Sequence, residues 1–281
     1  MSIIYINDHL SDSTISNISA TDRGLLLGDG LFETIRAYHG TIPFLAQHWE
    51  RFIHSANALD INVPITLDTL TANIETLIQK NQLENKQARI RVTLTRGVGA
   101  AGLTTTDSDP TLIISTFPYT PPGPVNNIIL ASIRRNELSP LANIKSLNYL
   151  DNILALQAAY KHNADDALFL NTHDNLTCST SANVFIVLHG KIYTPRIADG
   201  VLPGIMRNTV VQLAKMQDIE IHEMSLSIAQ LCNAEEIFLT NSLVGVRSVL
   251  HFNGSATSQT ITQNMQHALN DHVEKLLCKY N

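Results

Sequence analysis

The chain has 281 residues, of which 44% are hydrophobic and 16% are charged, so it is long enough for two globular domains and ordinary in composition. The formal net charge is -6 and no basic run occurs, which argues against a nucleic-acid or anionic-membrane surface. No apolar run approaches the ~20 residues that span a bilayer, and the first residues do not resemble a secretory signal. We therefore expect a cytoplasmic protein that acts on small molecules.

In the first part of the chain, predicted strands alternate with predicted helices. Alternating or continuous apolar runs predict strands over residues 2–8, 31–44, 88–95 and 111–117, the last of them buried. Apolar residues at helical spacing predict helices over residues 45–59 and 67–79. The His39-Gly40 pair predicts a hairpin turn inside the second strand segment. Both helices are expected to lie on a sheet.

The pattern stops at residues 118–124, PYTPPGP, which hold four prolines and a glycine. Such a segment is stiff and continues neither a helix nor a strand. We therefore expect an N-terminal domain over residues 1–117, a linker over 118–124 and a C-terminal domain over 125–281. In the C-terminal domain, strands are predicted over residues 127–133, 166–172, 183–195 and 236–240, and helices over 205–216 and 261–280.

The cysteines and histidines form no recognisable metal site. Cys178, Cys232 and Cys278 are widely spaced and odd in number, which fits neither a disulfide framework nor a zinc ribbon. The 11 histidines show no ligand spacing such as HExxH. We expect reduced thiols and no bound metal.

Three stretches could carry other chemistry, although each also has an ordinary structural interpretation. Lys145, in NIKSLNYLDN, is either a long stem with its charge at the surface or an amine kept from water. Pro203-Gly204 precedes a helix whose first amides could bind an anion, as many helix starts could. Asn241-Ser242 follows a strand and could be either a turn or a second anion contact. Alone, none of these patterns is specific.

Six motifs in order, however, resemble those of the fold-type IV pyridoxal-phosphate enzymes. This family includes branched-chain and D-amino-acid aminotransferases and aminodeoxychorismate lyase. The motifs are DRGLLLGDGLFETIR (22–36), HWER (48–51), IKSLNYLDN (144–152), DNLTCSTSANVF (174–185), LPGIMR (202–207) and FLTNS (238–242). The resemblance implies an α/β fold with a smaller N-terminal α/β domain, a larger strand-rich C-terminal domain and pyridoxal 5'-phosphate between them. It also implies a homodimer.

The resemblance assigns roles to individual residues. Lys145 matches the lysine that forms the Schiff base with the cofactor, because a deprotonated amine is both nucleophile and base. Arg51 matches the arginine that binds the cofactor phosphate, for which its fork of donors is suited. The other matched cofactor positions are Leu202, on the ring face, and the phosphate contacts Gly204, Ile205, Met206, Ser242 and Leu243.

Two departures from the family bear on the reaction. Cys178 stands where most members carry a glutamate that keeps the cofactor ring nitrogen protonated. A thiol is a poorer partner for that nitrogen, which should hinder amino transfer more than elimination, although Cys178 could also be a mere packing substitution. Ala101 stands where lyases and D-amino-acid aminotransferases often carry a carboxylate-binding arginine. Arg134 and Arg135 could replace it, or be an exposed basic pair, and Phe32 is a further expected substrate contact.

We therefore expect a pyridoxal-phosphate lyase that converts 4-amino-4-deoxychorismate to 4-aminobenzoate and pyruvate, a step toward folate. The substrate amine would displace Lys145 from the cofactor, and Lys145 would then remove the proton from the carbon that bears this amine. The alternative is a D-amino-acid or branched-chain aminotransferase. A non-catalytic pyridoxal-phosphate-binding protein is disfavoured, because Lys145 and the phosphate-binding set are intact.

Overall fold

The computed structural model describes residues 2–7, 9–99, 102–104 and 109–279, which form two compact units. The first unit contains the described residues up to Thr120 together with the short segment Ile144–Asn148. The second contains Pro121–Asn143 and Tyr149–Lys279. Within these described ranges, no helix combines the length and the apolar character needed to cross a membrane.

The first unit is a five-stranded antiparallel sheet with helices. Its strands are β1 (Ile3–Ile6), β2 (His9–Asp12), β3 (Gly30–Tyr38), β4 (Gln87–Thr95) and β5 (Thr111–Pro118). Its helices are α1 (Arg23–Leu27), α2 (Leu45–Ala58) and α3 (Leu67–Lys80). The strand order is β2-β1-β5-β4-β3, so β3 forms one edge of this sheet.

One face of this sheet packs against α2 and α3. Side chains alternate between the two faces of a strand, and in β3 the odd-numbered residues from Leu31 to Ala37 are buried in the shared core. Glu33 is a charged residue on this largely apolar face, with only 2% of its surface exposed. The opposite face carries Phe32, Thr34 and Arg36. Adjacent residues of β3 therefore meet different surroundings.

Two expectations for this unit are corrected. The His39-Gly40 turn is present, with positive φ at both residues, but only Thr41 pairs back, with Tyr38, and no second hairpin strand forms. Pro43 cannot donate to a strand ladder, and the chain enters α2 at Leu45 instead. The strand β5 is not buried throughout, because its side chains alternate between buried and half-buried.

The second unit is richer in strand. Its strands are β6 (Val125–Arg135), β7 (Asp166–Asn171), β8 (Leu176–Ser179), β9 (Asn183–Leu188), β10 (Lys191–Thr194), β11 (Ile221–Glu223), β12 (Glu236–Asn241), β13 (Gly245–Phe252) and β14 (Ser255–Ala256). Its α-helices are α4 (Leu150–Lys161), α5 (Ile205–Met216), α6 (Ile228–Cys232) and α7 (Thr260–Leu277). Short 3-10 helices cover Pro140–Asn143 and Ile197–Asp199.

The sheet of the second unit closes on itself. The strands run in the order β11-β10-β9-β12-β13-β6-β7-β8, with β14 beside β13. β8 also pairs with β9, through Cys178 and Asn183, so the strands from β9 round to β8 form a closed ring. This pairing brings the strand that carries Cys178 directly beside the strand that begins at Asn183.

Candidate active site

Lys145 lies in a short segment that extends the sheet of the first unit beyond its edge strand. The Phe32 N–H donates to the Lys145 carbonyl oxygen, and the Leu147 N–H donates to the Gly30 carbonyl oxygen, each at 2.9 Å. Ser146 lies opposite Leu31 as an isolated antiparallel bridge. An edge strand has backbone groups on its outer side that another segment can pair with. Backbone hydrogen bonds to β3 therefore fix the position of Lys145.

The Lys145 amine and a second cation share one aromatic ring. Lys145 Nζ lies 4.3 Å from the centroid of the Phe32 ring, and the guanidinium carbon of Arg91 lies 3.7 Å from the same centroid. Phe32 is 6% exposed. The negative face of an aromatic ring attracts cations, most strongly where water is excluded. Both cations thus contact the same Phe32 ring.

Arg91 was not predicted from the sequence. It lies opposite Thr34 in the β3–β4 pairing, next to the pair formed by Phe32 and Thr93. The strict alternation of β4 could have indicated it, because that alternation places Arg91 on the face away from the apolar residues Ile90 and Val92.

Arg51 belongs to a buried cluster with Glu33 and His48. Arg51 Nε donates to Glu33 Oε1 at 2.8 Å, and Arg51 Nη2 donates to Glu33 Oε2 at 2.7 Å. His48 Nδ1 lies 2.7 Å from the same Oε2. The side chains of Glu33 and His48 are 2% exposed and that of Arg51 is 10% exposed. Hydrogen bonds to Glu33 therefore fix the Arg51 side chain, which is not solvated on the helix surface.

The charges in this cluster follow from burial and pairing. Burial raises the pKa of the Glu33 carboxyl, but the charge of Arg51, then His48 and the hydrogen bonds to both, lower it to about 2. Burial, together with the charges of Arg51 and Lys145, lowers the pKa of His48, although Glu33 acts to raise it. We therefore take His48 as neutral at pH 7, donating from Nδ1, and Arg51 as the charge that keeps Glu33 ionised.

In the second unit, helix α5 begins at the predicted anion site. Its N-cap residue is Gly204, and no side chain caps the helix start. A Cβ at Gly204 would lie 1.9 Å from Asn183 Oδ1, so only glycine fits there. Asn183 Nδ2 donates to the Leu202 carbonyl oxygen at 3.0 Å, which holds the preceding loop. The first amides of α5, those of Ile205 and Met206, can act on an anion without a competing side-chain cap.

The second predicted phosphate contact lies in the turn between β12 and β13. Asn241 Oδ1 accepts from the Leu243 N–H at 3.0 Å and from the Val244 N–H at 2.9 Å, which is the hydrogen bonding of an Asx turn. Asn241 Nδ2 donates to the Ser181 carbonyl oxygen at 3.2 Å. Ser242 is half-buried in this turn. Because Thr240 pairs with Asn183, this turn is tied to the same region as the start of α5.

Cys178 is a buried free thiol beside a cation. It is 7% exposed and packs with Ala131, Ala155 and Phe169. The charge of the neighbouring Cys178 is the main reason that the pKa of Arg135 is raised. Arg135 also lies 5.3 Å from the Phe169 ring centroid. Arg135 is accordingly cationic at every physiological pH.

The remaining expected substrate residues have different placements. Arg134 Nη2 pairs with Asp174 Oδ1 at 2.8 Å on the surface, where the Arg134 side chain is 41% exposed. Ala101 lies outside the described residues. Of the predicted site residues, Phe32, Arg51 and Lys145 belong to the first unit, and the others with described positions belong to the second.

Comparison with known proteins identifies the family. The family model described as amino-transferase class IV matches residues 30–252. The chain belongs to this family. This class IV aminotransferase is 35% identical over 257 residues to a protein of Methanocaldococcus jannaschii provisionally named branched-chain-amino-acid aminotransferase, covering 89% of this chain and 88% of that one. It is 29% identical over 281 residues to D-alanine aminotransferase of Staphylococcus haemolyticus, covering 98% and 99%.

The fold of this chain also matches that of a solved structure. A provisionally named 4-amino-4-deoxychorismate lyase from Legionella pneumophila matches with a TM-score of 0.86 and 35% identity, covering 92% of this chain and 97% of that chain. The expected mixed α/β fold of type IV is thereby confirmed. The chain is a pyridoxal 5'-phosphate enzyme of the lyase or aminotransferase type.

The residues present fit this cofactor. Lys145 offers an amine for the cofactor aldehyde and is held in place by backbone bonds. The guanidinium of Arg51 in the first unit is a donor group of the kind that binds phosphate, and so are the amides at the start of α5 in the second unit, where no side chain caps the helix.

Proposed function

We propose that this member of the class IV family is a lyase that converts 4-amino-4-deoxychorismate to 4-aminobenzoate and pyruvate, a step toward folate. The observation that carries the proposal is the buried thiol of Cys178, at the position that the family usually gives to a glutamate. A carboxylate there would stabilise a proton on the cofactor ring nitrogen, whereas a thiol next to a guanidinium would not. Elimination depends less on that proton than amino transfer does, because the product ring becomes aromatic.

In this proposal, residues of each unit hold the cofactor. Lys145 would hold the cofactor at its aldehyde, and Arg51 would hold its phosphate. From the second unit, the first amides of α5, at Ile205 and Met206, also bind the phosphate, and Gly204 lets the backbone approach. Leu202 packs on the ring, and the turn after β12 binds the phosphate through Ser242, next to Leu243, whose own N–H is donated to Asn241 Oδ1. When bound, the cofactor withdraws electrons from the carbon that carries the substrate amine.

Lys145 then acts as the base. Its Nζ would take the proton from the carbon that bears the substrate amine. The Phe32 ring, 4.3 Å from Nζ, orients the amine and excludes water on that side.

The substrate carries two carboxylates, which call for cationic partners. We assign one of them to Arg91, because its guanidinium stacks on the same ring as Lys145. Arg135 is the second candidate, since it lies beside Cys178. Arg134 suits the role less well, because it forms an exposed ion pair with Asp174. Arg91 would supply the group that is absent at Ala101.

Amino transfer by a branched-chain or D-amino-acid aminotransferase is the second candidate. It is favoured by the similarity to the M. jannaschii and S. haemolyticus proteins, which extends over most of both chains. The same Lys145 and phosphate-binding residues would serve that reaction.

The need for an amino acceptor separates the two candidates. The purified enzyme would be given 4-amino-4-deoxychorismate alone, and in parallel D-alanine or leucine with 2-oxoglutarate. The lyase proposal predicts 4-aminobenzoate and pyruvate without any acceptor. If the parallel reactions form glutamate and the reaction with 4-amino-4-deoxychorismate forms no 4-aminobenzoate, the lyase proposal is wrong and the enzyme is an aminotransferase.

We also propose that the enzyme is a homodimer in the cytoplasm. Helix α4 exposes four large apolar side chains: Leu150 (66% exposed), Ile153 (49%), Leu154 (45%) and Tyr160 (61%). Helix α1 likewise exposes Leu25, Leu26 and Leu27. A second copy that covers such surfaces would remove apolar area from water. The cytoplasm is consistent with the three free cysteines.

A further inference from the structure

In the cluster of Arg51, Glu33 and His48, the carboxylate is fixed by three hydrogen bonds, more than the burial of an ion pair requires. Glu33 uses both oxygens on the Nε and Nη2 nitrogens of Arg51, so it engages one whole edge of the guanidinium. His48 donates to the Oε2 atom that also accepts from Nη2. The carboxylate is therefore fixed from two sides, and the plane of the guanidinium is fixed with it.

Secondary structure holds all three side chains. His48 and Arg51 are three residues apart on α2, which places them on one face of the helix. Glu33 lies in β3, on the face that packs against α2. The neighbouring residue in β3, Phe32, binds the Lys145 carbonyl oxygen through its own N–H. One stretch of β3 thus anchors both Arg51 and the segment of Lys145.

We propose that Glu33, held by His48, is a positioning residue that orients Arg51 toward the cofactor phosphate and fixes its place relative to Lys145. This inference rests on the proposed role of Arg51 as the phosphate-binding arginine. Arginine is a long side chain that loses rotamer entropy when it is ordered. With Glu33 in place, this ordering occurs when the chain folds and not when the phosphate binds, so the cofactor binds more tightly.

If Glu33 acted only through its charge, its removal would change the cofactor affinity in the opposite direction. Glu33 is ionised, since its pKa is about 2, and it neutralises Arg51. If neutralisation were its main effect, removal of the Glu33 charge would leave Arg51 more attractive to a phosphate. Loss of orientation, in contrast, weakens binding of the phosphate. The sign of the change in cofactor affinity therefore separates the two roles.

The experiment compares two forms of the cofactor on Glu33→Gln. Pyridoxal 5'-phosphate and pyridoxal, which lacks the phosphate, are titrated separately into enzyme from which cofactor has been removed, and binding is followed by absorbance. We expect about tenfold weaker binding of pyridoxal 5'-phosphate, the size of one charge-assisted hydrogen bond. We expect unchanged binding of pyridoxal. Glu75→Gln, an exposed position on α3, loses the same charge and should change neither.

A second background tests whether Glu33 acts through Arg51. Arg51→Ala should weaken binding of the phosphorylated form, and adding Glu33→Gln to it should weaken binding no further. If Glu33→Gln does not fold, Glu33→Asp can replace it. Glu33→Asp keeps the charge but shortens the side chain by one methylene, and it should also weaken binding of pyridoxal 5'-phosphate.

Each contrary result has a distinct meaning. Tighter or equal binding of pyridoxal 5'-phosphate by both Glu33 variants, with weaker binding by Arg51→Ala, overturns the positioning role but keeps Arg51 as the phosphate residue. Equal weakening for both cofactor forms shows that Glu33 only supports the fold. Unchanged binding by Arg51→Ala removes the proposed role of Arg51 and the positioning role with it.

Discussion

Phe32 and Glu33 are neighbours in β3, yet their side chains lie on opposite faces and serve different purposes. The resemblance to known enzymes identified Phe32, Arg51 and Lys145 from the sequence, because each stands in a recognisable motif. It did not identify Glu33, although a charged residue among Leu31, Ile35 and Ala37 on the buried face already indicates a buried partner. Which partner it has depends on how α2 packs, and the sequence does not give that packing.

Because Glu33 forms an ion pair with Arg51, the free energy of unfolding depends on pH in the acid range. The pKa of Glu33 falls from 4.5 to about 2 on folding. A lowered folded-state pKa stabilises the fold above pH 4.5, and this stabilisation is lost as the pH falls from 4.5 toward about 2. The contribution is on the order of 3 kcal/mol. We predict that Glu33→Gln is less stable than the wild type to urea at pH 7 and that the difference shrinks by pH 3.

The exposed variant Glu75→Gln serves as the control for that measurement. Its difference in unfolding free energy from the wild type should stay small at both pH values. A Glu33→Gln difference that is the same at pH 7 and pH 3 would show that the carboxylate is not paired as described.

Lys145 should carry the cofactor. We predict that the purified enzyme is yellow, and that borohydride reduction fixes the cofactor on the peptide that contains Lys145, as detected by mass spectrometry. Lys145→Ala should lose both the colour and turnover. Lys161→Ala, an exposed position at the end of α4, should lose neither. Label on a different lysine would remove Lys145 from its proposed role.

At the scale of elements, hydrophobic periodicity succeeded where one face of an element is apolar. It predicted α2, α3, α5 and α7, and the strands β4 and β12, close to their observed bounds. It gave no helix for α4, which buries the small residues Asn152, Ala155 and Ala159 and exposes large apolar ones. A helix with leucines outside and alanines inside has no clear apolar face in its sequence, so periodicity does not detect it.

The start of α5 gives a prediction at this scale. Gly204→Ala would place a Cβ 1.9 Å from Asn183 Oδ1, so the Asn183–Leu202 hydrogen bond or the helix start must shift. We expect a loss of one to a few kcal/mol, on the order of other overpacked sites, together with weaker binding of pyridoxal 5'-phosphate. Gly123→Ala, where nothing lies within 4 Å, is the matched control. Equal stability and cofactor affinity in the two variants would contradict the described packing.

At the scale of the whole molecule, the family and the cofactor were predictable from the order of six motifs, and the family match bears them out. The choice of reaction was not, because lyases and aminotransferases share the lysine and the phosphate-binding residues. Only departures such as Cys178 distinguish them within one sequence. The oligomeric state likewise remains a prediction that depends on which surfaces a second copy covers.

The apolar surface of α4 allows the proposed dimer to be tested. We predict that light scattering gives twice the mass of one chain, and that Ile153→Glu shifts the enzyme toward the monomer, because burial of an unpaired charge at an interface is costly. Met216→Glu, on an apolar side chain of α5 that is more exposed (78%) than Ile153, should leave the mass unchanged. A monomeric wild type would refute the dimer. If Ile153→Glu keeps the mass of the dimer, the dimer interface does not include this part of α4.

The most direct test of the account is the partition between elimination and amino transfer in Cys178→Glu. The added carboxylate would lie beside Arg135, which gives the buried charge a partner. The wild type should release pyruvate and 4-aminobenzoate in equal amounts with little amino transfer. Cys178→Glu should accelerate amino transfer from amino acids to the cofactor relative to pyruvate release, whereas Cys232→Glu, at an exposed cysteine, should behave as the wild type. A Cys178→Glu enzyme that stays folded and binds cofactor, yet keeps both rates unchanged, would contradict the assignment of Cys178 to the ring nitrogen and the case for elimination.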